Sequence, residues 1–145
     1  MTPERPLRAD ASSAPVETPL EISLAVPDVE ETSALPDPRS VPLYAALDLG
    51  TNSCRMLIAQ PQGSQFVIID SLSKSVQLGA GLEATGRLSR SSMERTLQAL
   101  RICERKIAKH GVKRMRLVAT EACRRARNAR DFIRQVRRET GLALE

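Results

Sequence analysis

Two apolar runs flank the hexapeptide Asp48-Leu49-Gly50-Thr51-Asn52-Ser53, and that junction restricts the chain more than any other feature. Leu43 to Leu47 reads as one buried strand and Cys54 to Ala59 as a second, with a tight polar turn between them. Gly50 reaches backbone angles closed to other residues, so Thr51, Asn52 and Ser53 can aim N–H and hydroxyl donors at a bound anion. Asp48, at the end of the first strand, then faces the same anion. A carboxylate repels a phosphate unless a divalent cation or an aligned water stands between them, so the spacing suits metal-assisted phosphoryl chemistry. These residue types are also the usual turn formers, and a β-hairpin with a merely polar turn fits the spacing as well. The Walker loop is excluded, because it needs Gly-Lys-Ser/Thr and no lysine precedes Lys74. The dinucleotide fingerprint is excluded too, since it requires a helix after the glycines where a strand follows here.

The remaining elements follow from periodicity and punctuation. Phe66 to Ile69 reads as a third strand after a turn at Pro61-Gln62-Gly63-Ser64, which makes an antiparallel meander. A polar, glycine-bearing segment from Lys74 to Gly86 comes next, in which Val76 and Leu78 extend the sheet. Ser89 caps a helix, with Leu88 and Met93 as its staple. Met93, Leu97, Leu100, Cys103 and Ile107 share one face of it, and Gly111 ends it. Arg116 to Ala119 is a short strand. A second helix runs from Ala129 to about Glu139, capped by Asn128 and closed by Gly141, with Phe132, Ile133 and Val136 inward. Leu142 to Glu145 begins another strand without a return. An apolar strand left so is a liability, so the sequence is expected to be part of a longer domain.

Charge divides the chain. Eight of the nine prolines lie within residues 1 to 42, and residues 1 to 40 hold three arginines against eight acidic residues. An acidic, proline-rich, disordered tail over residues 1 to 41 is expected, acting as a solubilising extension. The body keeps nineteen basic against nine acidic residues. No stretch resembles a secretory signal or approaches the roughly 18 apolar residues of a membrane span, which points to the cytoplasm. Cys54, Cys103 and Cys123 are too few and too scattered for a disulfide framework or a zinc site, and read as small buried residues in a reducing compartment. His110, near a helix end, reads as structural.

A second polar constellation, Ala119-Thr120-Glu121-Ala122-Cys123-Arg124-Arg125-Ala126-Arg127-Asn128, follows a buried strand. Ligands of open α/β sheets collect beyond such strand ends, and a guanidinium there offers a planar fork for phosphate oxygens. Arg124, Arg125 and Arg127 compete for that role.

Together with Leu78-Gly79-Ala80-Gly81-Leu82, these motifs make residues 43 to 145 resemble the start of the exopolyphosphatase and guanosine pentaphosphate phosphohydrolase (Ppx/GppA) family. The resemblance implies an α/β, actin-like ATPase (ribonuclease H-like) fold with a mixed sheet that begins as an antiparallel meander; residues 42 to 145 would be an incomplete first domain. It implies phosphate contacts from Asp48, Gly50, Thr51, Asn52, Ser53 and Arg124, and Mg2+ near Asp48 through water. The implied reaction is hydrolysis of terminal phosphate from polyphosphate or guanosine pentaphosphate, in a cytoplasmic and homodimeric full-length protein. The glutamate that activates water in such enzymes corresponds to no residue here, so this chain alone is expected to be inactive; Glu121 is not at its position. Lys74, Ser75 and Gln77 stand where the family commonly carries arginines. The alternative is a non-catalytic basic module holding polyanions such as nucleic acid or polyphosphate by charge. Residues 101 to 145, with fourteen basic and five acidic residues, favour it; three aromatics, Tyr44, Phe66 and Phe132, leave little for base stacking and make nucleic acid the weaker partner.

Overall fold

Alternation of apolar side chains sets the sheet. The computed structural model describes residues 41–145; apart from Val41, the expected acidic tail lies outside the described residues. β1 (Tyr44–Leu49) buries Ala45, Leu47 and Leu49 and exposes Tyr44, Ala46 and Asp48. β2 (Ser53–Gln62) pairs antiparallel with it from Leu49↔Cys54 to Tyr44↔Ala59. β3 (Gln65–Ser75) returns along β2, so the antiparallel meander is present as expected. β4 (Arg114–Ala119) joins the other side of β1 in parallel, giving the order β3-β2-β1-β4.

The helices cover one face. α1 (Leu82–Thr85) is a single turn between left-handed Gly81 and Gly86. α2 (Arg90–Lys109) starts at Ser89, whose side chain accepts from the Ser92 N–H at 3.2 Å, and the left-handed Gly111 (φ +63°) follows its end. α3 (Glu121–Arg125) and α4 (Ala129–Thr140) follow β4. Leu97, Leu100, Cys103 and Ile107 of α2 join Phe132 and Val136 of α4 against Leu47, Leu49, Cys54, Met56 and Ile58 of the sheet in one apolar core.

Five local expectations are corrected. β2 runs through Pro61 to Gln62, so the turn shrinks to Gly63 and Ser64; beyond Tyr44↔Ala59 no third strand requires the N–H that proline lacks. β3 continues six residues past Ile69, because the register shift opposite Ile58/Ala59 moves the pairing from Ile68 to Asp70 and swaps the faces of alternate residues. Val76 and Leu78 are buried in a loop rather than extending the sheet. Asn128 stands at the start of α4 without capping it through its side chain. Leu142 to Glu145 forms no assigned strand, yet Glu145 exchanges two 2.9 Å hydrogen bonds with β4: its N–H donates to Leu117 and its carbonyl accepts from Ala119.

Candidate phosphate-binding site

Because β1 and β4 run parallel with Leu49 beside Ala119, the segments after them emerge side by side. They are joined at one atom. The Leu49 carbonyl accepts from Thr120 twice, from the N–H at 3.0 Å and from Oγ1–H at 3.1 Å. The turn containing Gly50 and the helix carrying Arg124 therefore start from a shared anchor at the end of the parallel pair, where ligands of open α/β sheets collect.

The turn is closed by the Gly50 N–H donating to the Ser53 carbonyl at 2.9 Å. The next two carbonyls are taken by residues 76–79. Asn52 O accepts from Val76 and Gln77 at 2.8 and 2.9 Å, and Thr51 O accepts from Gly79 at 3.0 Å. Three successive carbonyls are thus committed to protein N–H groups, which removes acceptors that would oppose an anion. The strap needs unusual backbone: Gln77 adopts φ +48°, and a Cβ on Gly79 would stand 2.3 Å from Thr51 Cγ2. Arg95 of α2 secures it, donating from Nε to the Val76 carbonyl at 3.2 Å. Sequence reasoning missed Arg95, which nothing local in the sequence marks, and saw Gln77 only as a departure from the family's arginines; the Leu78-Gly79-Ala80-Gly81-Leu82 motif pointed at the strap.

Asp48 is exposed on the sheet face away from the helices, opposite Arg55 of β2 and Val118 of β4. Among the described residues no group of three or more His, Cys, Asp or Glu side chains could hold a metal ion. A lone carboxylate fits a hydrated Mg2+ shared with ligand phosphates, which needs one or two carboxylates and keeps several waters, and does not fit an all-protein cage.

The three competing arginines separate by their neighbours. Arg125 is engaged by Glu83 at 2.8 Å and Glu121 at 3.2 Å, and Glu83 first, then Glu121, raises its pKa. Arg127 donates its backbone N–H to Gly86 O at 3.0 Å, with its guanidinium so close that a Cβ on Gly86 would meet Nε at 3.3 Å. Arg124 is exposed and makes no side-chain hydrogen bond or ion pair among the described residues. Asn128 clamps the loop before α2, accepting from Leu88 N–H at 2.8 Å and donating to Leu88 O at 3.0 Å. Glu121 is tied to Arg125.

The remaining titratable groups are structural. All three cysteines are free thiols; Cys54 and Cys103 meet in the core, which lowers the Cys54 pKa and raises that of Cys103. Burial raises Cys123 to about 11. His110 caps the end of α2 and binds Asp70 Oδ2 through Nε2 at 3.0 Å.

A four-stranded mixed sheet whose first three strands form a meander, with a polar turn after β1 and both long helices packed in its core, has the actin-like ATPase (ribonuclease H-like) fold. Residues 57–145 match the model of the Ppx/GppA phosphatase family, and the chain belongs to that family. It is 34% identical over 104 residues to the guanosine-5'-triphosphate,3'-diphosphate pyrophosphatase of Aeromonas hydrophila, covering 72% of this chain and 21% of that protein. The crystal structure of the Aquifex aeolicus Ppx/GppA family member superposes with a TM-score of 0.70 at 38% identity, over 72% of this chain and 34% of that one. An exopolyphosphatase of Cytophaga hutchinsonii, 23% identical with a TM-score of 0.68 over 71% of this chain and 33% of its own, shares the fold. The chain thus spans about a fifth of the length of the curated relatives it matches. Among the described residues no helix is long and apolar enough to cross a membrane.

Proposed function

We propose that the protein removes terminal phosphate from polyphosphate or guanosine pentaphosphate by attack of water on a phosphoanhydride, and that this chain supplies the first phosphate-binding part of the site. The observation that carries this reading is the shared anchor at Leu49, which brings a turn with its carbonyls turned inward next to a helix bearing an unengaged arginine. Donors of Thr51, Asn52 and Ser53 hold phosphate oxygens around the turn that Gly50 closes with its own N–H, Arg124 forks onto them, and Asp48 would orient waters of a bound Mg2+. Mg2+ neutralises charge on the phosphoryl oxygens when present. The water-activating glutamate implied by the family resemblance has no counterpart in this chain, which by itself binds phosphate weakly and turns nothing over. The same reading puts the complete protein in the cytoplasm, as a homodimer.

Calorimetry of tripolyphosphate with Mg2+ tests it. Arg124→Ala is expected to weaken binding by about 1.5–3 kcal/mol, the scale of a hydrogen bond to a charged group, and to lower kcat/KM of the complete protein in step. Unchanged binding and kcat/KM would remove Arg124 from the site. Equal competition by single-stranded DNA, without any effect of Mg2+, would favour the basic-module reading instead.

A further inference from the structure

We propose that the outer face of α4 is a second phosphate subsite, a track for the body of a linear polyphosphate whose end lies in the cradle at Gly50 to Ser53. This rests on the phosphate reading of that cradle. Arg130, Arg134, Arg137 and Arg138 recur at i, i+4, i+7 and i+8, so they form one stripe about 12 Å long at the 1.5 Å rise of a helix. All four are exposed. Ala129, Phe132 and Val136 of the same helix are buried, which fixes the stripe outward.

The nearby carboxylates neutralise this row only in part, Asp131 at Arg134 and Glu139 through its charge near Arg138. Glu139 is held by Arg101 at 2.6 Å and by Gln135 at 2.8 Å. Asp131 pairs with Arg134. Arg130, Arg137 and Arg138 are left without an ion-pair partner among the described residues. An open groove against α4 is lined by Cys123, Ala129, Arg130, Ile133 and Arg134. The groove thus borders α3, the helix that carries Arg124, at Cys123, and runs from there to Arg130 and Arg134 of the row.

Guanidinium forks match phosphate oxygens, and a row of them suits a repeated phosphate more than a single one. Single-stranded nucleic acid offers a repeated phosphate too, but its binding relies on aromatic platforms. The groove holds none: Tyr44 and Phe66 lie on the sheet, and Phe132 is 1% exposed. A phosphate chain without bases is the ligand that fits. Ligands with few consecutive phosphates engage the cradle alone.

The test compares the chain with an Arg130→Gln/Arg134→Gln/Arg137→Gln triple variant, titrating each with tripolyphosphate and with a long-chain inorganic polyphosphate between about 50 and 200 mM salt. Circular dichroism controls for folding, and the corresponding Arg→Lys triple variant tests for rescue. The expected result is unchanged tripolyphosphate affinity, a loss of about tenfold or more for the long chain, and a salt slope smaller by about 2, with lysines restoring most of it. Long-chain binding that ignores the glutamines would overturn the proposal. So would equal competition by a single-stranded DNA oligonucleotide, which would make the row a general polyanion surface. If tripolyphosphate fails to bind either protein while long-chain binding still depends on the row, the cradle reading fails and the track stands.

Discussion

Gly79 lacks a side chain because Thr51 occupies the place where one would go. A Cβ there would lie 2.3 Å from Thr51 Cγ2, a distance no packed pair tolerates. Gly79→Ala must push Thr51 or the strap aside, so urea unfolding should show a loss of about 1–3 kcal/mol, with weaker tripolyphosphate binding because the displaced residue belongs to the cradle. Unchanged affinity in a destabilised variant would separate the strap from the site. The turn at Gly50 was readable in the sequence because a turn after a strand is a local event, although Gly50 itself does not adopt the left-handed backbone expected of it, whereas the Gly79 contact spans 28 residues and has no local signature. Asn128 shows the same limit. Its position before an amphipathic run predicts a cap, yet its side chain holds Leu88, 40 residues away. Arg124, Arg125 and Arg127 look equivalent in the sequence, and only the positions of Glu83 and Gly86 tell them apart.

α2 was legible at both ends, since a serine cap and a terminal glycine act on neighbouring backbone whatever the tertiary context. β3 was legible only to its bulge. Phe66 and Ile68 share a face up to that point and Ser71 and Ser73 after it, so the period-2 pattern breaks in mid-strand. The shift turns Asp70 toward α2, where Lys106 reaches Oδ1 at 2.7 Å and His110 reaches Oδ2 at 3.0 Å. Lys106 foremost, then His110, holds the Asp70 carboxyl down at about 2, below the ordinary value of about 3.9. A folded value below the unfolded one contributes stability that is complete above about pH 4 and is lost as pH falls toward 2. The melting temperature of Asp70→Asn should therefore trail the parent by a constant gap at neutral pH, and the gap should close between these limits. An undiminished gap at pH 2 would mean that the pair does not act through the charge of Asp70.

The two faces of the sheet are unequal across the molecule. Leu47, on the helix side, is 3% exposed within the core, whereas Leu57 lies on the other face beside Ala46 and Phe66. Leu47→Ala should cost about 2–5 kcal/mol, the range for emptying a packed site, and Leu57→Ala clearly less. Equal losses in urea titrations would mean that the second face is as well covered as the first. The meander was legible because its turns and apolar periods agree along the chain. The pairing of β4 with β1, which assembles the candidate site, depends on contacts about 70 residues apart and has no local signature; the resemblance implied no more than a mixed sheet. One carbonyl has the last consequence. With both Thr120 donors lodged on Leu49, the two jaws of the cradle are tied to each other at one atom. Spreading them would break two bonds at once, so any motion that admits or releases a ligand has its hinge elsewhere in the protein.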